Sequence, residues 1–377
     1  MNRLSIILLA SERSGSNLLR VLIGNHKEIC APVSPHLMSE FYDFRKYYGD
    51  LRIKENALHI LEDMLVTANH PYHGWGLETN LHAITDNANS VVKAMDSLYL
   101  EKAKQEGKRY YCSKGINAFK FIDAYRAEIE NVRFIHLVRD PRDHVASWMQ
   151  RAVEFTAYDA ALKWKQEQET YLDAVFSRGL ESISVRYEDL IADTGTVMTQ
   201  ILNYIGVEVD EKCFETNQKN QEAKRNPYWA NLSNPIIKDN AEGYKKNLSN
   251  EEVRMIETIT KKEMAFFGYK PVSDCSWRPP SDFNAVLNEA REKRKREVAK
   301  NKKEHESIQD KWNRIHQIKR MRKEEWEKLN GLNSNEIIPQ PSVPSFIKVR
   351  IRYLVFAFLG VKTSTRIMKR LKSIFNR

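Results

Sequence analysis

Short apolar runs alternate with longer amphipathic segments along the N-terminal part of the chain. The apolar runs have the length of strands and cover residues 4–10, 132–138 and 182–185. The amphipathic segments have helical periodicity and cover residues 91–105, 158–176, 197–205 and 251–267. Continuous apolar runs are typical of strands buried on both faces, and strands that alternate with helices form parallel sheets. The pattern therefore predicts an α/β domain, a parallel sheet flanked by helices, over residues 1–275.

The pattern changes after residue 275. Residues 283–329 are highly charged and contain neither Gly nor Pro, which predicts a long helix or a helical hairpin in a charged extension over residues 276–330. Lys319 and Arg322 interrupt the apolar spacing there, so it indicates only weak coiled-coil character. That spacing involves Ile308, Trp312, Ile315, Trp326 and Leu329. Residues 331–344 contain three prolines and predict a linker, and residues 345–377 form a basic amphipathic tail.

The net charge of +10 over 377 residues is concentrated in this tail. Residues 345–377 hold nine Lys or Arg and no Asp or Glu, so the rest of the chain carries only +1. We therefore expect no specific nucleic-acid partner. A basic amphipathic segment favours contact with an anionic membrane surface or with a protein partner. Four cysteines, far apart and without a C-x-x-C pair, argue against a disulfide framework and a zinc site.

No apolar run reaches the roughly 20 residues that a membrane-spanning helix needs. The first run ends at residue 10 in a polar loop rather than in a signal-cleavage context. We therefore expect a cytoplasmic protein, with its tail as a peripheral contact at the inner membrane surface.

The loop that follows the first apolar run has the features of an anion site. It lies between a predicted strand and a predicted helix, so backbone N–H groups and the helix dipole point outward, and Arg13 adds a full positive charge. The residues concerned are Arg13, Ser14, Gly15, Ser16, Asn17 and Leu18. The standard phosphate motifs do not match, because Arg20 stands where the second glycine of G-x-x-x-x-G-K-[ST] belongs. On this loop alone, the alternative that Gly15 only allows a turn stays open.

A second candidate site follows the apolar run at residues 132–138. Asp140 can cap a helix, and Pro141 suits its first position, which leaves Arg139 at the carboxyl end of the strand. Ser147 lies about 9 Å further along that helix. A guanidinium and a hydroxyl can bind one phosphate together. The alternative is a structural ion pair of Arg139 with Asp140 or Asp143.

Two further segments add weaker signals. Tyr187 follows the third apolar run and can offer its ring to a purine, or simply cover the sheet edge. Residues 243–248 combine a glycine with Tyr244, Lys245 and Lys246, which suits a phosphate, although adjacent lysines are usually solvated.

Taken in this order and spacing, these segments resemble the sulfotransferase family, which uses 3′-phosphoadenosine 5′-phosphosulfate. The resemblance covers about residues 4–271. Residues 11–20 are similar to the 5′-phosphosulfate loop, and residues 134–147 are similar to the 3′-phosphate motif. Residues 186–190 match a Tyr-Glu-Asp strand end, and residues 235–236 and 243–249 resemble a cofactor-covering segment. The resemblance implies that Arg13 and residues 14–18 hold the 5′ end, and that Arg139 and Ser147 hold the 3′-phosphate.

The resemblance also implies a parallel sheet of the P-loop nucleotide-kinase type and in-line transfer of a sulfuryl group to a hydroxyl or an amine. Arg13 would stabilise charge on the leaving phosphate, and no metal is implied. The acceptor proton needs a base. Ser34 stands where relatives often carry a glutamate, so His36 and then Glu40 become the candidates, with neither as the third option. Lys114 lacks the residues that usually follow it in the family.

Two further histidines in the chain are expected to be structural. His136 is expected to be a strand residue and His144 a residue on a helix surface. From the tail we expect a glycan or a lipid-linked glycan as the acceptor. The alternatives are a non-catalytic nucleotide-binding module of the same fold, which the Ser34 departure keeps open, and a P-loop-like nucleotide kinase.

Overall fold

The computed structural model describes residues 3–150, 155–216, 222, 227–238, 240–300 and 306–330. The predicted linker over residues 331–344 and the predicted basic tail over residues 345–377 lie outside these ranges. The predicted boundary at residue 275 stays a prediction.

The centre of the described chain is a five-stranded, all-parallel sheet. Its strands are β1 (Ser5–Ala10), β2 (Ile29–Cys30), β3 (Tyr110–Lys114), β4 (Val132–Val138) and β5 (Ser182–Arg186). Their order across the sheet is β2-β3-β1-β4-β5. The register places Leu8 beside Lys114 and Ala10 beside Leu137, so β1, β3 and β4 end at one edge. Ligands of open α/β sheets bind at this edge, outside the carboxyl ends of the strands.

Helices surround the sheet. They are α1 (Ser16–Gly24), α2 (Leu37–Phe41), α3 (Lys54–Asn69), α4 (Val91–Gln105), α5 (Ile122–Glu128), α6 (Pro141–Met149), α7 (Ala157–Arg178), α8 (Tyr187–Ala192), α9 (Thr194–Ile205), α10 (Tyr244–Asn247), α11 (Asn250–Phe266), α12 (Phe283–Lys300) and α13 (Glu306–Leu329). Helices α1, α8 and α9 pack on one apolar face of the sheet. On the other face, the ring of His136 in β4 stacks on Tyr171 of α7 at 3.7 Å.

Most of the predicted elements are confirmed, and their bounds differ from the expected ones by at most three residues. The strands at β1, β4 and β5 and the helices α4, α7, α9 and α11 were all indicated by periodicity. Strands β2 and β3 were not predicted, because β2 is two residues long and β3 has aromatic and polar residues instead of an apolar run. The extension contains the two helices α12 and α13. In the described ranges, no helix combines the length and the apolar character needed to cross a bilayer.

The four cysteines are free thiols, as their spacing indicates. Cys30, Cys112 and Cys213 are buried in the fold, and Cys275 is half-buried. Burial raises the pKa of the Cys112 thiol to about 12, so this thiol is protonated at neutral pH.

Candidate active site

The loop between β1 and α1 has the geometry of an anion site. Gly15 occupies the N-cap position of α1 with φ 85°, and no side chain caps this helix end. Its first N–H groups therefore remain available for a ligand. The Ser14 hydroxyl is fully buried and has no hydrogen-bond partner in the described part of the chain. Arg13 also has a left-handed backbone, with φ 71°, which is a strained conformation that is common at functional sites.

Only glycine fits at position 15. A Cβ built there would lie 2.3 Å from the Cδ2 atom of the Tyr187 ring. The loop therefore rests on Tyr187, whose ring is almost completely buried. Leu18, one turn into the helix, packs against the hydrophobic core of the sheet. Sequence reasoning found the loop, and the close approach of the ring explains why Gly15 does more than permit a turn.

The two predicted phosphate sites meet in the structure. Arg13 Nε donates to the Ser147 hydroxyl at 3.2 Å, and Arg139 donates to the Arg13 carbonyl at 3.1 Å. The residues predicted to hold opposite ends of one nucleotide therefore lie on the same rim of the sheet. Arg139 is buried, and its Nε has no hydrogen-bond partner among the described residues. A buried guanidinium that lacks a partner at one nitrogen suits an anionic ligand.

Arg139 does not form the alternative structural ion pair. Asp140 instead pairs with Arg142 at 2.6 Å and caps α6 by accepting from the Arg142 N–H at 2.9 Å. Asp143 accepts two backbone N–H groups, from Glu242 at 2.7 Å and from Tyr244 at 2.8 Å. Across the described ranges, no carboxylate lies within ion-pair distance of Arg139.

Asp143 thereby ties a covering segment, residues 240–244, to the start of α6. Arg139 donates to the Asn240 carbonyl at 3.0 Å, and the Asn240 amide donates to the Tyr187 hydroxyl at 2.7 Å. This segment is part of the region that resembles the cofactor cover. Lys245 and Lys246 are exposed, and Lys245 pairs with Glu242 at 2.5 Å. Their role in binding a nucleotide stays a prediction.

Tyr187 supports both phosphate sites from beneath. The Arg139 guanidinium lies 4.5 Å from the ring centroid, and Gly15 packs against the edge of the same ring. Stacking of this kind holds a guanidinium in one plane. The contact of Tyr187 with a purine stays a prediction, and Arg139 already covers one face of the ring.

A cluster on α7 was missed by sequence reasoning. Lys163 donates to Glu167 at 2.7 Å and lies 3.9 Å from Glu12 in the phosphate loop, while the Gln168 amide donates to Ser11 at 3.0 Å. Burial raises the pKa of Glu167. These residues are about 150 positions apart from the loop in the chain, and no motif in the sequence links them.

The expectation for His144 was wrong. The residue has no exposed surface, because α6 is packed between α7, α11 and the covering segment. Burial, reinforced by the charges of Lys163, Arg139 and Arg13, holds the pKa of His144 well below its usual value, so the ring is neutral. The placement of His136 in a strand is confirmed.

His36, the first candidate base, is held at its Nδ1 edge. Its Nδ1 accepts the Ile116 N–H at 3.2 Å and lies 3.1 Å from the Ser34 hydroxyl. Burial first, and then the charges of Lys114 and Lys311, hold the pKa of His36 well below its usual value. A backbone N–H only donates, so Nδ1 holds the lone pair and the ring proton is assigned to Nε2. In this state the Nε2 edge of the ring can donate a hydrogen bond to a ligand.

Glu40, the other candidate base, is buried and accepts a hydrogen bond from Lys319 of α13 at 2.8 Å. Lys114, at the end of β3, is half-buried beside the same region. Its burial lowers its pKa to about 8, helped by Arg20 and Arg13 and opposed by Glu12. At neutral pH the edge of the sheet therefore presents Arg13, Lys114 and Arg139 as cations.

Comparisons with known proteins agree with this geometry. The sequence model of the Sulfotransferase family matches residues 5–211, a range that includes the phosphate loop, the start of α6 and Tyr187. Among solved structures, the chain is similar to a sulfotransferase domain from the curacin biosynthetic pathway. The identity is 18%, the match covers 72% of this chain and 99% of that chain, and the TM-score is 0.51. This likeness shows a shared fold.

A sulfotransferase domain from the olefin synthase of Synechococcus PCC 7002 is also similar, at 21% identity. The match covers 68% of this chain and 94% of that chain, with a TM-score of 0.46. Among curated proteins, no sequence matches the chain.

Proposed function

Because the chain belongs to the sulfotransferase family, we propose that it transfers a sulfuryl group from 3′-phosphoadenosine 5′-phosphosulfate to an acceptor hydroxyl or amine. Family membership makes the protein a sulfotransferase, and this donor is the one that the family generally uses. The observation that carries the proposal is the meeting of Arg13, Arg139 and Ser147 at one edge of the sheet.

The residues at this edge fit such a donor. The start of α1 and the Ser14 hydroxyl would hold the 5′-phosphosulfate of the donor. No side chain caps the N–H groups of this helix end, and the Ser14 hydroxyl has no hydrogen-bond partner among the described residues. Arg139, with its free Nε, and Ser147 would hold the 3′-phosphate. The donor supplies an activated sulfuryl group and a nucleotide leaving group.

Arg13 has the central catalytic role in this proposal. Its guanidinium lies between the α1 loop and Ser147, so it can stabilise negative charge that grows on the leaving oxygen. Its hydrogen bond to Ser147, at 3.2 Å, orients the guanidinium before a ligand arrives. Preorganised charge of this kind is typically worth 10²–10³ in turnover.

Transfer to a hydroxyl or an amine also requires removal of the proton of the acceptor. Glu40 is held by Lys319 at 2.8 Å, whereas the free edge of His36 carries the ring proton as the structure stands. His36 would act as the base only in its other tautomer. In that tautomer Nδ1 carries the proton, the hydrogen bond from the Ile116 N–H is lost, and Nε2 holds the lone pair. As a donor it would instead bind a sulfuryl or acceptor oxygen without proton transfer.

Two measurements test the donor assignment. Adenosine 3′,5′-bisphosphate should raise the melting temperature of the protein, and Arg13→Ala and Arg139→Ala should both abolish this shift. Arg109→Ala is the matched control, because Arg109 precedes β3 at the opposite edge of the sheet. Stabilisation by ATP with none from the bisphosphate would favour the nucleotide kinase instead.

Transfer of radiolabelled sulfate from the donor, screened over fractionated cell extract, identifies the acceptor. A glycan or a lipid-linked glycan is the first class to examine. Bisphosphate binding without transfer in any fraction would support the non-catalytic module.

A further inference from the structure

Helix α13 packs against the part of the domain that carries the candidate bases. Lys319 binds Glu40 at 2.8 Å, and Arg322 binds Asp63 of α3 at 2.7 Å. Ile315 and Ile318 on the same helix are buried. These contacts bring a segment from beyond the family match at residues 5–211 onto the acceptor side of the site.

One side chain of α13 reaches into the domain without an ionic partner. Lys311 is only 5% exposed. Its ammonium lies 5.1 Å from the Tyr72 ring centroid and 4.1 Å from that of Trp312. Among the described residues, it has no hydrogen bond and no ion pair within 4.0 Å. Aromatic faces stabilise a cation only in part, so the ammonium remains poorly compensated.

The groups that face Lys311 locate it in the site. Burial lowers the pKa of Lys311, and the negative charges of Glu40 and Glu12 oppose this lowering only in part. Lys311 in turn lowers the pKa values of His36 and Lys114, so it acts on both of them electrostatically.

The local charges leave an excess of cations. Glu40 is hydrogen-bonded to Lys319 and Glu12 lies 3.9 Å from Lys163, so neither carboxylate forms an ion pair with Lys114 or Lys311. Two partly desolvated ammonium groups without an ion-pair partner among the described residues are costly to maintain without a ligand. An oxyanion between them would satisfy both.

The position of Lys311 favours the acceptor over the donor. The Lys311 ammonium lies 5.1 Å from the Tyr72 ring centroid, and the Tyr72 ring is edge-on to His73 at 5.1 Å. The His73 ring lies in turn 6.3 Å from the ring of His36, the candidate base. Tyr72 lies in the connection that follows α3, so Lys311 approaches the site from that side.

We propose that α13 forms one wall of the acceptor site and that Lys311, together with Lys114, binds an oxyanion group, a carboxylate or a phosphate ester, on the acceptor. This assignment rests on the proposed sulfotransfer function, because it names the acceptor class of that reaction. It makes the charged extension part of the enzyme's specificity.

The test compares matched ligands on the full-length protein by calorimetry. The panel holds hydroxy acids of increasing chain length, each beside its neutral amide. It also holds hydroxyalkyl phosphates, each beside the neutral hydroxyalkyl methyl ether in which a methoxy group replaces the phosphate. For at least one pair, the wild type should bind the anionic member about tenfold more tightly or better, as one ion pair worth about 1.4 kcal/mol would give. The carboxylate and phosphate arms show which oxyanion is preferred.

Variants then assign the preference to one residue. Lys311→Met should abolish it, Lys311→Arg should retain it, and Lys323→Met, an exposed lysine on the same helix, should leave it unchanged. Lys311→Met should also melt at or above the wild-type temperature, because it removes a buried charge with no ionic partner. A preference of this size that depends on Lys311 supports the assignment.

Three results would overturn the assignment. The first is that the wild type binds no anionic ligand more tightly than its neutral partner, and the second is that the preference survives in Lys311→Met. The third is that Lys311→Met loses affinity for the bisphosphate instead of this preference. Binding is measured apart from catalysis, so the two proposals fail separately. A wild type that does not bind the bisphosphate refutes the donor assignment, while a Lys311-dependent preference still establishes the oxyanion site.

Discussion

Gly15→Ala isolates the contact that supports the phosphate loop. The new Cβ would lie 2.3 and 2.4 Å from two ring atoms of Tyr187, and the backbone would keep φ 85°. A left-handed alanine costs about 1–2 kcal/mol. Relief of the clash costs about another 1–3 kcal/mol, because the buried ring has to move. We expect the free energy of unfolding to fall by about 2–5 kcal/mol.

Gly206→Ala is the matched control. Gly206 has φ 79°, and a Cβ there meets nothing within 4 Å. This variant should therefore lose only the backbone contribution of about 1–2 kcal/mol. The difference between the two alanine variants in urea denaturation measures the clash with Tyr187 alone.

The clash should also reach the nucleotide. Movement of Tyr187 displaces Arg139, which stacks on it at 4.5 Å, and Asn240, which is bonded to its hydroxyl at 2.7 Å. A charge-assisted hydrogen bond is worth roughly 1.5–3 kcal/mol, so bisphosphate affinity should fall about tenfold to a hundredfold. Calorimetric titration of Gly15→Ala, of Gly206→Ala and of the wild type measures this fall.

The reasoning has two points at which it fails. If Gly15→Ala binds the bisphosphate like Gly206→Ala, then Tyr187 does not transmit the clash to Arg139. The double variant with Tyr187→Ala removes the obstructing ring atoms, so the two changes should be non-additive by about 1–3 kcal/mol. Strict additivity would show that the ring does not confine position 15.

Three further predictions concern neighbouring groups. The pKa of Lys114 is lowered to about 8, so this cation is present below that pH, and calorimetric affinity for the preferred anionic acceptor analogue should fall as the pH rises above 8; Lys114→Met should flatten the titration. His36→Gln should retain most activity in the radiolabel assay if Nε2 donates, whereas loss of a general base costs about 10²–10⁴-fold. Asp143→Asn provides one acceptor oxygen for the two N–H groups of Glu242 and Tyr244, so the covering segment should open and bisphosphate should dissociate faster in stopped-flow measurements.

The interruption of the apolar pattern in the extension has a structural reason. Lys319 and Arg322 occupy positions that a coiled coil would fill with apolar residues, yet both face the domain and bind Glu40 and Asp63. Leu329, which the spacing placed on the apolar face, is 86% exposed. The sequence could indicate a helix here, but Glu40 and Asp63, the partners of Lys319 and Arg322 in the domain, are more than 250 residues away.

The strands β1, β4 and β5, the helices α4, α7, α9 and α11, and the loops that precede α1 and α6 could be predicted from the sequence, because local periodicity, capping and turn chemistry act over a few residues. Asp140 and Pro141, for example, begin α6 as expected. The same local rules gave no warning that His144 is buried, because its burial comes from helices distant in sequence. Only the sheet register decided that Arg13, Arg139 and Ser147 meet, and only the packing of α13 decided that the buried Lys311 lies over Tyr72. Long-range packing and desolvation depend on which surfaces come together, and no short stretch of sequence encodes that.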